Sequence, residues 1–195
     1  LVVRNLMYRS VYNHRLNEVC SWLLEKAIQT AKKLGPKNCW ADKYMAKLLW
    51  DYESLDINSF LANDDFRTYY HLHRWREEAP YPLSETCDRF INRKLLKALT
   101  IDKLDNISKL KALALSRELT LKKGGDPEIS CGIRYKNQHW YHPYKSGLRL
   151  WDGQNLVALE DSSKLVSSLI TPDISSWLIY PKEIEKELKE LLKSL

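Results

Sequence analysis

The segment that decides the fold is NHRLNEVCSWLLEKAIQTAKKL, residues 13–34. Its apolar residues recur at the spacing of an α-helix, so that they share one face. They are Leu16, Cys20, Leu23, Ala27 and Ala31, flanked by Val19, Leu24 and Ile28. Gly35-Pro36 ends the pattern. The segment is therefore predicted to be one long amphipathic helix that packs against other helices.

Helical patterns continue on both sides of this segment. Residues 2–12 resemble the interior of a helix, with no capping residue before them and with Leu1 instead of Met at the start. We therefore expect the chain to be part of something longer. Further helices are predicted over residues 41–52, from a cap at Asn63 to Pro80, over residues 84–95 and over residues 106–122.

The pattern changes after Gly124-Gly125. Short strand-like runs occupy residues 129–136, 148–151, 156–160 and 175–180, with a turn at Asp152-Gly153. Ser162 is predicted to cap a short helix over residues 162–169, and Pro181 to begin a terminal helix. The apolar stripe of that terminal helix is Ile184, Leu188, Leu191, Leu192 and Leu195. The predicted fold is mainly α (α+β), with a helical portion over residues 1–123 and a small β-containing portion over residues 124–195.

The composition restricts the class of protein. The chain has 195 residues, 44% of them hydrophobic, which is enough to bury a sizeable core. The formal net charge of +6 suits polyanionic partners, but it equally suits simple solubility, and no run of five like charges marks a nucleic-acid arm. No segment has the roughly 20 apolar residues of a membrane span. We expect a soluble, cytoplasmic protein without a membrane anchor.

The chain offers few residues for catalysis. His71 and His73 lie two residues apart on a predicted helix and so point in different directions, and His139 and His142 have no acidic neighbour close in sequence. The four cysteines lack the short spacing of zinc sites, and no nucleophile elbow or Gly-rich phosphate loop is present. Asp64 and Asp65 suit a helix N-terminus for dipole reasons alone. No metal site or catalytic residue is predicted within this chain.

One polar face does suit a ligand. Arg4, Tyr8, Tyr12 and Arg15 follow one another at helical spacings of four, four and three residues. Guanidinium groups match phosphate oxygens, and a Tyr ring can pack on a sugar or a base. From spacing alone, a solvated amphipathic helix explains the same pattern equally well.

The residues of this face carry a resemblance to a family. NLMYRSVYNHR, residues 5–15, resembles the helix that follows the last metal-binding Asp in HD-domain deoxynucleoside triphosphate triphosphohydrolases, the family of bacterial dGTPase-like enzymes and the vertebrate SAM-and-HD-domain protein. DRFINRKLLK, residues 88–97, is similar to the family's Arg-x-Leu/Phe-Phe-Lys signature and is the most specific match. Weaker similarity extends through residues 55–56, 63–66, 126–127, 162–166 and 180–181, and so covers most of the chain.

This resemblance implies several functional assignments. Arg4 would contact the substrate triphosphate, and Tyr12 would lie against the deoxyribose. His14 and Arg15 correspond to positions that, in some members, line a regulatory site or the pocket. The implied partners are a deoxynucleoside triphosphate, an HD-containing N-terminal segment and further copies in a homo-oligomer.

The chain departs from the family in one respect. No His-Asp dipeptide occurs in the sequence, although the family holds a divalent metal with a His, a His-Asp pair and a later Asp, all upstream of the matching region. We therefore expect this chain alone to bind no cofactor and to be inactive, and the metal to belong to the complete HD enzyme. The alternatives are a non-catalytic nucleotide-binding or oligomerisation module and, more weakly, a nucleic-acid-binding protein that uses the basic helix near residues 107–123.

Overall fold

The protein is described by a computed structural model, which covers residues 2–138, 148–168, 170 and 173–193. It is mostly helical, with small antiparallel sheets. The mainly α (α+β) fold class is therefore confirmed. None of the helices within these ranges is both long and apolar enough to cross a membrane.

The helices alternate with a few strands. The α-helices are α1 Val2–Met7, α2 Arg15–Leu34, α3 Lys43–Trp50, α4 Ile57–Leu61, α5 Asp65–Glu78, α6 Leu83–Ile91, α7 Asn106–Lys122, α8 Pro127–Ser130, α9 Leu159–Ser162, α10 Lys164–Ser167 and α11 Glu185–Leu192. Tyr8–Tyr12 form a π-helical turn, and Tyr52–Ser54 and Lys182–Ile184 form 3₁₀ turns. The strands are β1 Lys97–Thr100, β2 Gly132–Gln138, β3 Arg149–Trp151, β4 Leu156–Ala158 and β5 Asp173–Tyr180.

Helix α2 contributes to two hydrophobic cores. Near its start, Val19 and Leu23 are fully buried against Leu96 and Ile179. Near its end, Ala27 and Ala31 pack into a cluster formed with α3, α5 and α6. The predicted long amphipathic helix is confirmed, and it ends at Gly35, whose φ of 71° is a conformation that glycine adopts without strain.

The main sheet has the strand order β1-β5-β2, with both neighbours antiparallel to β5. Ile179 on the central strand pairs with Ala98 on one side and with Gly132 on the other. Leu178 and Tyr180 of the same strand are buried against α7 and α11. Because β1 precedes residue 123 and β5 follows it, the sheet joins both predicted portions of the chain.

The stretch around Arg93 differs from the prediction. A helix was expected over residues 84–95, and all structure before residue 123 was expected to be helical, but α6 ends at Ile91 and β1 follows. Arg93 adopts a φ of 53°, and the Asp88 carboxylate accepts hydrogen bonds from Asn92 (2.5 Å) and Lys94 (2.6 Å) across the helix end. The partner of β1 lies about 80 residues further along the chain, so no local pattern indicated this strand.

Several element ends also differ from the predictions. Asp64, not Asn63, caps α5, because its carboxylate accepts the Arg67 N–H at 2.8 Å. The segment predicted as a strand from Ile129 begins as α8, and the strand starts at Gly132. Ser163, not Ser162, caps α10.

Other local predictions are confirmed. Helix α7 spans Asn106–Lys122 as expected. Strands β3 and β4 form an antiparallel hairpin, in which the Asp152 carboxylate accepts the backbone N–H groups of Gln154 and Asn155 at 2.7 Å. These features depend on capping and turn residues that are close in sequence.

Strand β2 is held against α2 by close contacts. The Trp22 indole covers Gly132 so closely that a Cβ atom there would lie 2.0 Å from Trp22 Cη2. The Trp22 Nε1–H donates to the Ile129 carbonyl at 3.1 Å. Only glycine leaves room for the indole at this position.

Ion pairs reinforce the same contact. Glu18 of α2 is buried and accepts from Arg134 Nε and Lys136 Nζ, both at 2.6 Å. Burial opposes ionisation of Glu18, but the hydrogen bonds and charges of Lys136 and Arg134 hold its pKa below the ordinary value. Arg134 also pairs with Glu25 at 2.8 Å.

Gly132→Ala should lower the free energy of unfolding by about 1–3 kcal/mol, because the new methyl group overlaps the Trp22 ring. Denaturant titration measures this change. In a Trp22→Leu background, which removes the indole, the same substitution should cost clearly less. An equal cost in both backgrounds would contradict the proposed steric origin.

His71 is a fully buried titratable group on α5, whose Leu72 and Trp75 belong to the same core as Ala27 and Ala31. Its Nδ1–H donates to the Arg67 carbonyl (2.8 Å), and its Nε2 accepts the Asp42 N–H (3.1 Å), so the neutral ring is fully hydrogen-bonded. Burial, together with the Arg67 and Arg74 cations, lowers the pKa of His71, although the hydrogen bond to Arg67 partly opposes this. The Asp42 carboxylate is 3.9 Å away and also pairs with Arg67.

Stability should therefore decrease under mildly acidic conditions. Since the pKa of His71 is lower in the folded than in the unfolded state, its contribution is complete above the unfolded value of about 6.5 and is lost as pH falls below it. The free energy of unfolding should fall more steeply between neutral pH and pH ~5.5 in the natural protein than in His71→Gln. Parallel slopes would show that another group dominates.

Candidate functional site: an Arg-Tyr stack and a neighbouring basic pocket

The first helix changes pitch where the predicted ligand face lies. After α1 the chain forms the π-helical turn Tyr8–Tyr12, closed by the hydrogen bond from Asn13 N–H to the Tyr8 carbonyl at 2.8 Å. The Asn17 side chain donates to the carbonyls of Val11 (2.8 Å) and Tyr12 (3.4 Å). These bonds satisfy carbonyls at the end of the turn, and π turns of this kind are frequent at functional sites.

Three residues of the predicted face lie in a row, here called the stack, in which the two Tyr rings are tilted by 48° to each other. The Arg4 guanidinium carbon lies 5.5 Å from the centre of the Tyr8 ring, and the Tyr8 and Tyr12 ring centres are 4.9 Å apart. Tyr12 is 53% exposed, so its ring is open to a ligand. The arrangement offers a guanidinium for an anion beside an aromatic surface for a sugar or a base.

His14 lies at the break between the π turn and α2. Its extended backbone makes it the N-cap of α2, and its Nδ1 accepts the Leu16 N–H at 3.3 Å. The ring is exposed. The structure therefore assigns His14 a capping role, while the regulatory role implied by the family resemblance stays a prediction.

Arg15 follows the break and lines a separate pocket of about 260 Å³. The pocket lies between α2, the edge strand β1, the end of β5 and α11. Its lining residues are Arg15, Leu16, Lys97, Ala98, Leu99, Tyr180, Glu185 and Lys189. The predicted single face is therefore divided. Arg4, Tyr8 and Tyr12 form the stack, whereas Arg15 lines the separate pocket.

The lining of this pocket is basic. Three cations, Arg15, Lys97 and Lys189, line it together with one carboxylate, Glu185, which lies 3.7 Å from Lys97 Nζ and 2.7 Å from Lys189 Nζ. Burial, assisted by the Glu185 carboxylate and opposed by Arg15, raises the pKa of Tyr180 to about 12. The phenol therefore stays protonated, and the excess positive charge favours a phosphate-sized anion.

Sequence reasoning identified one residue of this basic pocket, Arg15. It gave no binding role to Lys97, Tyr180 or Lys189. These residues lie on a strand that was not predicted, on the central strand and on the terminal helix. The family-like run over residues 88–97 did end at Lys97. The other two are brought in by strand pairing and helix packing, for which no local signal exists.

Metal ligands are not grouped in the part of the chain that the structure describes. Within that part, no three His, Cys, Asp or Glu side chains are arranged to hold an ion. His71 is instead occupied by its hydrogen bonds, and Asp64 caps α5. His139 and His142 lie outside the described residues.

Comparison with known proteins shows the fold. No family model and no curated protein matches the chain. A solved phosphohydrolase from Bacteroides thetaiotaomicron VPI-5482 has a TM-score of 0.73 at 18% sequence identity, over 93% of this chain and 48% of that one. A hypothetical protein from Aquifex aeolicus has a TM-score of 0.55 at 18% identity, over 97% of this chain and 42% of that one.

The chain matches a part of each of these solved structures. The chain spans about half the length of the solved structures that it matches. At 18% identity the likeness shows the fold alone. The chain therefore has a phosphohydrolase-like architecture, in the sense that it is built like roughly half of a solved phosphohydrolase.

The basic pocket should bind inorganic tripolyphosphate. Arg15→Glu or Lys97→Glu should weaken this binding by about tenfold or more, since each removes a charge-assisted contact and adds repulsion. Titration calorimetry at two salt concentrations measures it. Lys33→Glu, an equal charge change at the exposed end of α2, is the control, and an equal loss there would mean that net charge rather than the pocket governs binding.

Proposed function

We propose that this chain is part of a metal-dependent HD-family phosphohydrolase that acts on (deoxy)nucleoside triphosphates. It supplies substrate-contacting residues and scaffold, and it lacks the metal ligands. The observation that carries the proposal is the Arg4-Tyr8-Tyr12 stack, because it presents a phosphate-binding group beside an open aromatic ring. The phosphohydrolase-like architecture supports it.

Each residue of the stack has a proposed role. Arg4 binds the triphosphate, since a guanidinium fork matches phosphate oxygens and stays charged. Tyr12 packs against the deoxyribose. Tyr8 lies between them and holds both side chains in place through its ring contacts.

The metal would be held by an HD-containing segment, because the described residues of this chain do not fit an ion. When bound, a divalent cation activates water and neutralises phosphate charge. The part of this chain is to bind and orient the nucleotide. His14 and Arg15 are proposed to line a neighbouring regulatory or pocket position, at the start of α2, and the protein is proposed to be cytoplasmic.

Arg4→Ala should lower kcat/KM for dNTP hydrolysis by about 10- to 100-fold in a protein that contains both the HD segment and this chain. Arg4 is exposed, so the loss would not come from unfolding. Tyr12→Phe should retain most activity and Tyr12→Ala should not, because the ring face makes the contact. Triphosphate release measures the rate, with Lys33→Ala as control.

Unchanged kinetics in Arg4→Ala would refute its assigned role.

The second candidate function is a non-catalytic nucleotide-binding or oligomerisation module. It is favoured by the lack of grouped metal ligands within the described residues. The mass of the native protein distinguishes the two: a species well above 23.0 kDa, or an HD-bearing partner that co-purifies, supports the enzyme.

A further inference from the structure

Helix α7 is apolar on two opposite faces. Ala112, Ser116 and Leu119 face inward and are buried, and Ala112 and Leu119 pack against β5 and α11. On the other side, Ile107, Leu110 and Leu121 are 68%, 63% and 62% exposed. An ordinary surface helix presents polar residues there, and a helix that is apolar all round is normally covered on both sides.

The exposed apolar residues form one continuous stripe, here called the outer stripe. It consists of Ile107, Leu110, Ala114 and Leu121, at spacings of three, four and seven residues. At 100° per residue these positions fall within about 60° of one another around the helix axis. Ala114 lies at the middle of the stripe, with Ile107 and Leu121 each seven residues away, so the stripe is symmetric about Ala114.

We propose that the outer stripe of α7 is the contact surface with a second copy of this chain, packed antiparallel about a two-fold axis at Ala114. The small side chain at the axis lets the two helices approach closely. Ile107 of one copy then lies alongside Leu121 of the other. This inference is independent of the proposed catalytic function.

Charge complementarity supports this occupant and this orientation. Lys111 and Glu118 lie seven residues apart, on the same edge of the stripe. About the two-fold axis, Lys111 is three residues from Ala114 and Glu118 is four, so the Lys111 of one copy lies within about 1.5 Å of the height of the other copy's Glu118. Two symmetry-related ion pairs result.

The ion pair that Glu118 makes within α7 does not prevent its contact with Lys111 of a second copy. Glu118 pairs with Lys122 at 2.7 Å, one helical turn away, and both side chains are more than half exposed. Such surface pairs contribute little to stability, so Glu118 can bind Lys111 of a second copy without a large penalty.

The stripe is too small for a strong association between two copies. One helix face supplies less than the roughly 800 Å² per partner of a standard interface. The association should therefore be weak and reversible. The dimer is then visible in a concentration series of the chain.

Sedimentation velocity on the 195-residue chain tests the pairing. Lys111→Glu and Glu118→Lys should each weaken dimerisation by about tenfold, because attraction becomes repulsion at two sites, and the double variant should restore it. Leu110→Glu should abolish it. Phe66→Glu, at an apolar residue that is 87% exposed on α5, should leave it unchanged.

Disulfide trapping tests whether the two-fold axis passes Ala114. In a Cys20→Ser background, Ala114→Cys should form a disulfide-linked dimer with oxidised glutathione, since only a residue at the two-fold axis meets its own copy. Lys122→Cys, exposed and about 12 Å from Ala114 along α7, should not. A monomer throughout the series, or charge reversals that the double variant does not rescue, would overturn the proposal and leave a different partner on the stripe.

Discussion

The contact between α2 and β2 is the constraint on which the rest of the structure depends. The Trp22 indole lies where a side chain at position 132 would be, and Glu18 is buried between Arg134 and Lys136. These contacts join residues more than 100 positions apart. Because β2 pairs with β5 and β5 with β1, this contact places the whole sheet against the long helix.

The candidate site follows from that placement. The Arg4-Tyr8-Tyr12 stack lies directly before α2, so the start of this helix determines where the stack is held. The basic pocket forms where the same helix start meets β1, the end of β5 and α11. Two sites that favour anions thus lie on either side of the helix break at His14.

The outer surface of α7 carries apolar residues that are exposed and do not pack in a core. The inner face of this helix packs against β5 and α11, whereas Ile107, Leu110 and Leu121 of the outer stripe are more than 60% exposed. Exposed apolar residues in such an ordered row are a cost in solubility, and they are retained where a partner covers them. With the two proposals above, the stack and the pocket would form a nucleotide-facing end, and the stripe would form an assembly face.

Sequence alone determined the elements whose signals are local: the long helix α2 from its apolar spacing, α7 from the Gly124-Gly125 break that follows it and the β3–β4 hairpin from its turn residues. It also indicated Arg4, Tyr12, His14 and Arg15. Only the tertiary structure decided that residues near Leu95 leave the helix and form β1, that a π turn separates Arg15 from the stack, and that Lys97, Tyr180 and Lys189 join Arg15. The physical reason is that strand pairing and pocket formation depend on partners remote in sequence, whereas helices and tight turns are stabilised by residues within a few positions.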